Sequence, residues 1–341
     1  MRLSSIGIGL YTMLSCSHSL FGGRASFDVL VIDSETMKPL PNVKVEGSFL
    51  NYSRGWGIAA KDNDVDAWTD RQGLARLSGN TEKGIGGYRI YGTPNYYNAE
   101  WKEIRFQEQS LLRLGAWQPS GIVSTVRLDR VIAPIPLIVN GGRIPQYGKD
   151  AFCGENQMLS YDLMKNDWLP PFGQGCFADV HFTSKKTLLG REPHRYPSGI
   201  HTNEFYRCDV SVAFMGDGNG MIEVMPSPQA GIKLRVAPET GYESERICWR
   251  GRVSRTEYKD NFDEDRCYYF RIRTEYDKDG KIRNALYGKI YGDFRLEDKK
   301  DGIKGISFLY YLNPTPNDRN LEWDMKTNLC PNPGDIGNPQ P

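Results

Sequence analysis

Strict two-residue alternation constrains this chain more than any other feature. Cys208, Val210, Val212 and Phe214 alternate with Asp209, Ser211 and Ala213. Tyr268, Phe270, Ile272 and Thr274 alternate with Tyr269, Arg271 and Arg273, and Ile306, Phe308, Tyr310 and Leu312 repeat the pattern. Successive side chains of a strand point to opposite faces, so this period builds sheets with one buried face. Helical periods are scarce. The 36 glycines, 20 prolines and 19 tyrosines suit short strands joined by turns. The expected fold class is all-β.

The 341 residues suffice for two domains. In the first part, Phe27–Ile32 reads as a central strand, and Val43, Val45, Gly47 and Phe49 alternate with polar neighbours. Ala75–Leu77, Tyr88–Tyr91 and Val123–Val131 supply further strands, and 100–114 reads as a strand running into a loop. Asp70–Gly73 reads as a turn in which Gly73 takes positive φ. Alternating prolines in Ile132-Ala133-Pro134-Ile135-Pro136 mark a junction. After it, Asp277-Lys278-Asp279-Gly280 reads as a hairpin turn, and so does Gly216–Gly220. From Pro331 on, a Pro/Gly/Asn-rich tail is expected to be poorly ordered.

The first 25 residues read as an export signal. Arg2 is the only early charge, and Ile6–Leu14 is apolar but too short to span a bilayer. Two cleavage points stay open. Gly23-Arg24-Ala25 offers small residues, while Leu14-Ser15-Cys16 resembles a bacterial lipobox that would lipidate Cys16. No other run approaches membrane length, so the mature chain is expected to be secreted, periplasmic or lipid-tethered at the envelope. Net charge is +1 with no basic patch, which argues against nucleic acid as a partner.

Two segments carry a family resemblance. Asp33-Ser34-Glu35-Thr36-Met37-Lys38-Pro39-Leu40-Pro41-Asn42-Val43-Lys44-Val45 and Thr69-Asp70-Arg71-Gln72-Gly73-Leu74-Ala75-Arg76-Leu77 together resemble a transthyretin-like, or carboxypeptidase regulatory-like, β-sandwich. The resemblance covers roughly residues 27–132. It implies a seven-stranded, exported, non-catalytic accessory module. Tyr161–Trp168, Ala285–Phe294 and Tyr310–Asn320 resemble segments of exported bacterial proteins of unknown function, which implies no activity. The expected organisation is a signal at 1–25, a sandwich at 26–132, a second, mostly antiparallel β domain at 133–330 and a tail at 331–341.

Cys16 aside, six cysteines remain, all after residue 150. In an exported chain an even number permits disulfides. Cys153 with Cys176, and Cys248 with Cys267, bracket turn-rich segments and are the expected pairs. Cys208 lies on the apolar parity of its strand and reads as a buried thiol.

Signatures of catalysis are scarce. The chain has no Gly-x-Ser-x-Gly elbow, His-Glu-x-x-His or Walker loop. Asp62, Asp64, Asp66 and Asp70 partly match a calcium loop but lack its Gly and Glu, so they read as a solvated acidic loop. His194 and His201 fit no zinc spacing. No metal or cofactor is expected. Aromatic rings beside carboxylates and amides suit sugars, and Trp168, Asp167, Tyr287, Asp293, Tyr310 and Asn313 are the candidate binding residues. The same rings equally suit a core. Two functions follow: a non-enzymatic exported protein binding a glycan or surface partner, or an extracytoplasmic glycan hydrolase with carboxylates in the second domain.

Overall fold

The computed structural model describes residues 23–51, 63–110, 116–141, 158–196, 199–224, 234–299, 302–331, 333 and 336. The described residues are all strand, turn and loop, so the all-β class holds. No helix among them is long and apolar enough to cross a membrane. The chain divides into two compact units, Met1–Ile132 and Ala133–Pro341.

Among the described residues the first unit holds nine strands: β1 (Gly23–Asp33), β2 (Lys44–Phe49), β3 (Asn63–Trp68), β4 (Leu74–Thr81), β5 (Ile85–Ile90), β6 (Ala99–Arg105), β7 (Glu108–Ser110), β8 (Ala116–Gln118) and β9 (Ile122–Leu128). Seven form two sheets, ordered β4-β1-β9 and β3-β2-β5-β6. Six of them fall on the expected strands, whereas β3 runs through the segment read as a solvated acidic loop, because Asp64 and Asp66 pair with Ser48 and Glu46 of β2. The pair β7-β8 is an added two-stranded ribbon.

Phe27, Val29 and Val31 of β1 meet Val45 and Phe49 of β2 and Tyr88 of β5 in one core. The Phe27 and Phe49 rings are 5.6 Å apart. Alternation on both sheets makes this packing, and each fully buried large apolar side chain contributes about 1.5–3 kcal/mol. Strand β1 begins at Gly23. Gly23–Ala25 pair with Thr81–Gly79, and Ala25 is buried.

Asp33 ends β1 and organises the next turn. Its buried carboxylate accepts bonds from the Glu35 and Thr36 amides, the Thr36 and Tyr96 hydroxyls and Arg130 Nε. Burial opposes the charge, but these donors hold the carboxyl far below the usual aspartate range.

The second unit holds β10 (Ile135–Asn140), β11 (Met158–Asp162), β12 (Asp167–Trp168), β13 (Val180–Tyr196), β14 (Gly199–Phe214), β15 (Gly220–Val224), β16 (Glu245–Arg252), β17 (Tyr258–Asp260), β18 (Cys267–Tyr276), β19 (Ile282–Lys299), β20 (Gly302–Asn313) and β21 (Trp323–Asn328). They make two six-stranded sheets, β15-β18-β19-β20-β10-β21 and β12-β11-β13-β14-β16-β17. Their inward faces share one core, in which Phe214 stacks on Phe270 at 5.8 Å and Phe182 meets Phe308 at 6.2 Å. The Asp277–Gly280 turn joins the paired strands β18 and β19, as expected. Gly216–Gly220 does not make a hairpin. β14 and β15 belong to different sheets, so this turn carries the chain across the sandwich.

The sheet containing β19 is also covered on its outer face. Residues 234–237 and 319–321 bond to each other and form a strap. Leu137, Val139, Tyr311 and Trp323 form one buried cluster on this side, and Ala237 and Leu321 of the strap pack with Ala285 and Tyr287 in another. Ile336, in the segment read as a tail, packs against the first of these clusters. Lys289 is fully buried here, its ammonium 5.0 Å from the Tyr291 ring and 4.8 Å from the Tyr311 ring. Burial pushes its pKa down to about 7, against the attraction of Glu322.

The expected Cys248–Cys267 pair does not form. Cys248 and Cys267 are separate thiols. Cys248 faces the core from β16, while Cys267 sits on the outward parity of β18 in the opposite sheet. Two thiols on different sheets and faces cannot meet the short Cα separation a disulfide needs. Cys176 is an exposed thiol, and Cys153 and Cys16 lie outside the described residues.

Two outcomes are expected. Gly73 has φ +76°, and a Cβ there would lie 2.6 Å from the Val31 carbonyl oxygen. Gly73→Ala should therefore cost more than about 1 kcal/mol in urea unfolding; an unchanged midpoint would overturn the turn's role. Because the Lys289 pKa is lowered on folding, its penalty is full at and below about pH 7 and fades toward pH 10. Stability should therefore rise across that window. Lys289→Met should flatten the rise and match or exceed the parent at pH 7, by up to about 4 kcal/mol.

Candidate functional site

The residues expected to bind sugar are scattered and mostly internal. Trp168 and Tyr310 belong to the main core of the second unit. The Trp168 ring packs edge-on against Tyr161 at 5.0 Å, and the Tyr310 hydroxyl donates to the Leu163 carbonyl at 2.9 Å. Tyr287 lies buried beneath the outer cover. Asn313 is buried, its amide donating to Asp318 and to the Asn320 carbonyl. Each ring lies on the apolar parity of a strand or under the strap, so packing occupies it.

The carboxylates are likewise engaged. Asp162 and Asp167 face each other across the β11–β12 pair, yet both turn to backbone amides. Asp167 accepts from Trp168 and Gln174, and Asp162 from Met164, Lys165, Cys176 and Phe177. Arg273 bonds Asp162 at 2.8 Å and both oxygens of Asp179 at 2.8 Å. Desolvation raises the Asp179 pKa while Arg273 pulls it down. Arg273 adopts φ +54° at a register shift in β18. That strained backbone costs of order 1–3 kcal/mol, and charge-assisted bonds offset it. Asp293 sits elsewhere, on β19, accepting from Arg266 at 2.5 Å and from the Tyr268 hydroxyl at 2.8 Å. Asp318 caps its own turn by accepting the Asn320 amide. Among the described residues, no group of three or more His, Cys, Asp or Glu is placed to hold a metal ion. His194 and His201 lie opposite each other on the β13–β14 hairpin, where Arg255 approaches His194 at 3.0 Å.

The structure brings aromatic and acidic groups together in the first unit instead. Strands β3, β2, β5 and β6 turn one face to the core and the other outward. The outward face carries a groove of about 490 Å³ lined by Glu46, Gly47, Ser48, Leu50, Asp64, Asp66, Arg89 and Trp101. Register explains the lining. Glu46 of β2 lies between Asp66 and Arg89, and Ser48 between Asp64 and Gly87.

Gly87 has no side chain, so the Trp101 ring of β6 lies across it. A Cβ at Gly87 would strike the indole. Trp101 is thereby held against the sheet yet stays 43% exposed. At the far end of β3, Trp68 is 63% exposed. Lys44 reaches Glu46 and Asp66 at 3.0 Å each, and Arg89 reaches Glu46 at 3.0 Å. Lys44 and Arg89 hold the Glu46 carboxyl below its ordinary pKa, and Asp66 and Glu46 raise that of Lys44.

The arrangement offers a flat aromatic ring beside charged hydrogen-bonding groups on an open surface. The sequence carries a signal for it. Trp101, Glu103 and Arg105 alternate with Ile104, and the two glycines at 86 and 87 lie in the neighbouring strand.

No family model matches this chain, and no curated protein does. Among solved structures, the Bacillus anthracis TIE protein aligns at 12% identity and TM-score 0.23, covering 58% of this chain and 29% of that one. A streptococcal ancillary pilin aligns at 10% and 0.22, covering 57% and 55%. A DUF3823 family protein from Parabacteroides merdae aligns at 7% and 0.19, covering 84% and 96%. This chain thus spans less than two thirds of the first two. At these identities and TM-scores the likenesses assign it no function.

Gly87→Ala should lift Trp101 from the sheet, since the new methyl meets both the ring and the Lys102 carbonyl oxygen at 2.8 Å. The expected signs are a changed tryptophan emission and near-ultraviolet circular dichroism with the β content retained. An unchanged spectrum would mean that Gly87 does not position the ring.

Proposed function

We propose that this chain is an exported, non-enzymatic glycan-binding protein of the bacterial envelope. The outward groove of the first unit is its binding face. One observation carries the reading: the Trp101 indole lies against Gly87, exposed, beside Glu46, Ser48, Asp64, Asp66 and Arg89. A sugar ring presents an apolar face that stacks on an indole, and its hydroxyls need donors and acceptors alongside. The groove supplies both. Under this reading the resemblance of residues 27–132 to transthyretin-like modules describes a docking domain, and the second unit is its rigid carrier.

The hydrolase alternative needs two carboxyl groups facing one cleft about 5–10 Å apart. Asp162, Asp167, Asp293 and Asp318 instead accept bonds that hold turns and strands together. That favours binding over hydrolysis. Export follows from the amino-terminal signal. Cleavage after Ala25 would remove three residues that pair in β1, whereas cleavage before Cys16 leaves β1 whole. The lipid-anchored form is therefore the favoured one within this proposal.

Affinity electrophoresis of the mature chain against a panel of soluble polysaccharides tests the function. At least one should retard the protein, and Trp101→Ala should weaken that retardation at least tenfold, as expected for a central aromatic anchor. Retardation by none, or an unaffected Trp101→Ala variant, would overturn the reading.

A further inference from the structure

Glycans differ in charge, and the groove is not neutral. Three of its lining residues are carboxylates: Glu46, Asp64 and Asp66. Lys44 and Arg89 answer two of them. Lys44 bridges Glu46 and Asp66, and Arg89 pairs with Glu46 at 3.0 Å while its guanidinium lies 5.0 Å from the Tyr91 ring. Asp64 is exposed and makes no hydrogen bond or ion pair among the described residues. Among the described residues the groove thus keeps one uncompensated negative charge on β3, with the Trp101 ring across the sheet on β6. The π face of an indole also attracts cations.

We propose that the groove selects a glycan bearing free amines, an amino sugar in its ammonium form, over neutral or acidic sugars. This rests on the reading of the groove as a glycan site. Trp101 takes the ring face, and Asp64 accepts the ammonium. The cations that could attract a uronate or sulfate are already held by Glu46 and Asp66. An acidic sugar would meet Asp64 as a like charge, so discrimination comes from repulsion as well as attraction.

Calorimetric titration of the mature chain at low salt, and at a pH where the sugar amine is protonated, decides it. The probes are a β-1,4-linked glucosamine hexamer, its fully N-acetylated counterpart and an oligogalacturonate. The glucosamine hexamer should bind about two- to fivefold tighter than the acetylated one, the size of one exposed charge pair. Oligogalacturonate should bind weakest. Asp64→Asn should erase the preference while keeping the affinity for the acetylated hexamer, with its circular dichroism unchanged. Added salt should erode the preference.

Equal binding of the two hexamers, both lost in Trp101→Ala, would overturn the amine selectivity and leave the glycan site standing. A preference that survives Asp64→Asn would overturn it as well. Binding of no probe would remove the site and the selectivity together.

Discussion

A β-strand cannot hide one set of side chains without turning the other set outward. Everything in this molecule depends on how that second face is disposed of. In the second unit, both faces of the sheet β15-β18-β19-β20-β10-β21 are covered, inward by the facing sheet and outward by the strap. β19 therefore carries buried residues on both parities, Leu286 and Ile290 on one side and Tyr287 and Lys289 on the other. Lys289 is the consequence of that double burial. Its amine loses water and takes two tyrosine faces and the nearby Glu322 in exchange. Exchanges of this kind seldom repay the full desolvation cost.

In the first unit the same geometry ends differently. The sheet β3-β2-β5-β6 packs one face on Phe27, Val29 and Val31 and leaves the other to solvent. A polar outward face is normal for an antiparallel sheet. Here it is interrupted by one indole lying over a glycine. The two units thus differ: the second has a sheet covered on both faces, and the first has a half-covered sheet whose outer face is exposed. An aromatic ring on the first kind of face is core. On the second kind it is available.

The buried charges follow the same logic. Asp33, the Asp162–Asp179–Arg273 cluster and Asp293 with Arg266 each sit where a strand ends or shifts register, and each carboxylate accepts amide protons as well as a cation. Backbone groups at such points lose their ladder partners and need others. These aspartates are fasteners. Their presence near aromatics in the sequence carries no chemical meaning until their partners are known.

Much of the architecture was legible in the sequence, because period-two alternation and turn chemistry are local. The strand around Phe27–Ile32, the Asp70–Gly73 turn, the Asp277–Gly280 hairpin and the all-β class needed no tertiary knowledge. What alternation cannot reveal is which sheet a strand joins and whether its second face is covered. Gly216–Gly220 looked like a hairpin because the turn signal is the same whether the chain returns to its own sheet or crosses to another. Cys248 and Cys267 looked like partners because nineteen positions in sequence do not show that they face different sides of different sheets. Trp168, Tyr287 and Tyr310 had the composition of a sugar site, and tertiary packing made them core. Trp101 had the same composition, and the uncovered outer face of its sheet left it at the surface, seated over the bare backbone of Gly87. Residue type set the chemistry each ring could do, and only the covering of sheet faces decided which ring is free to do it.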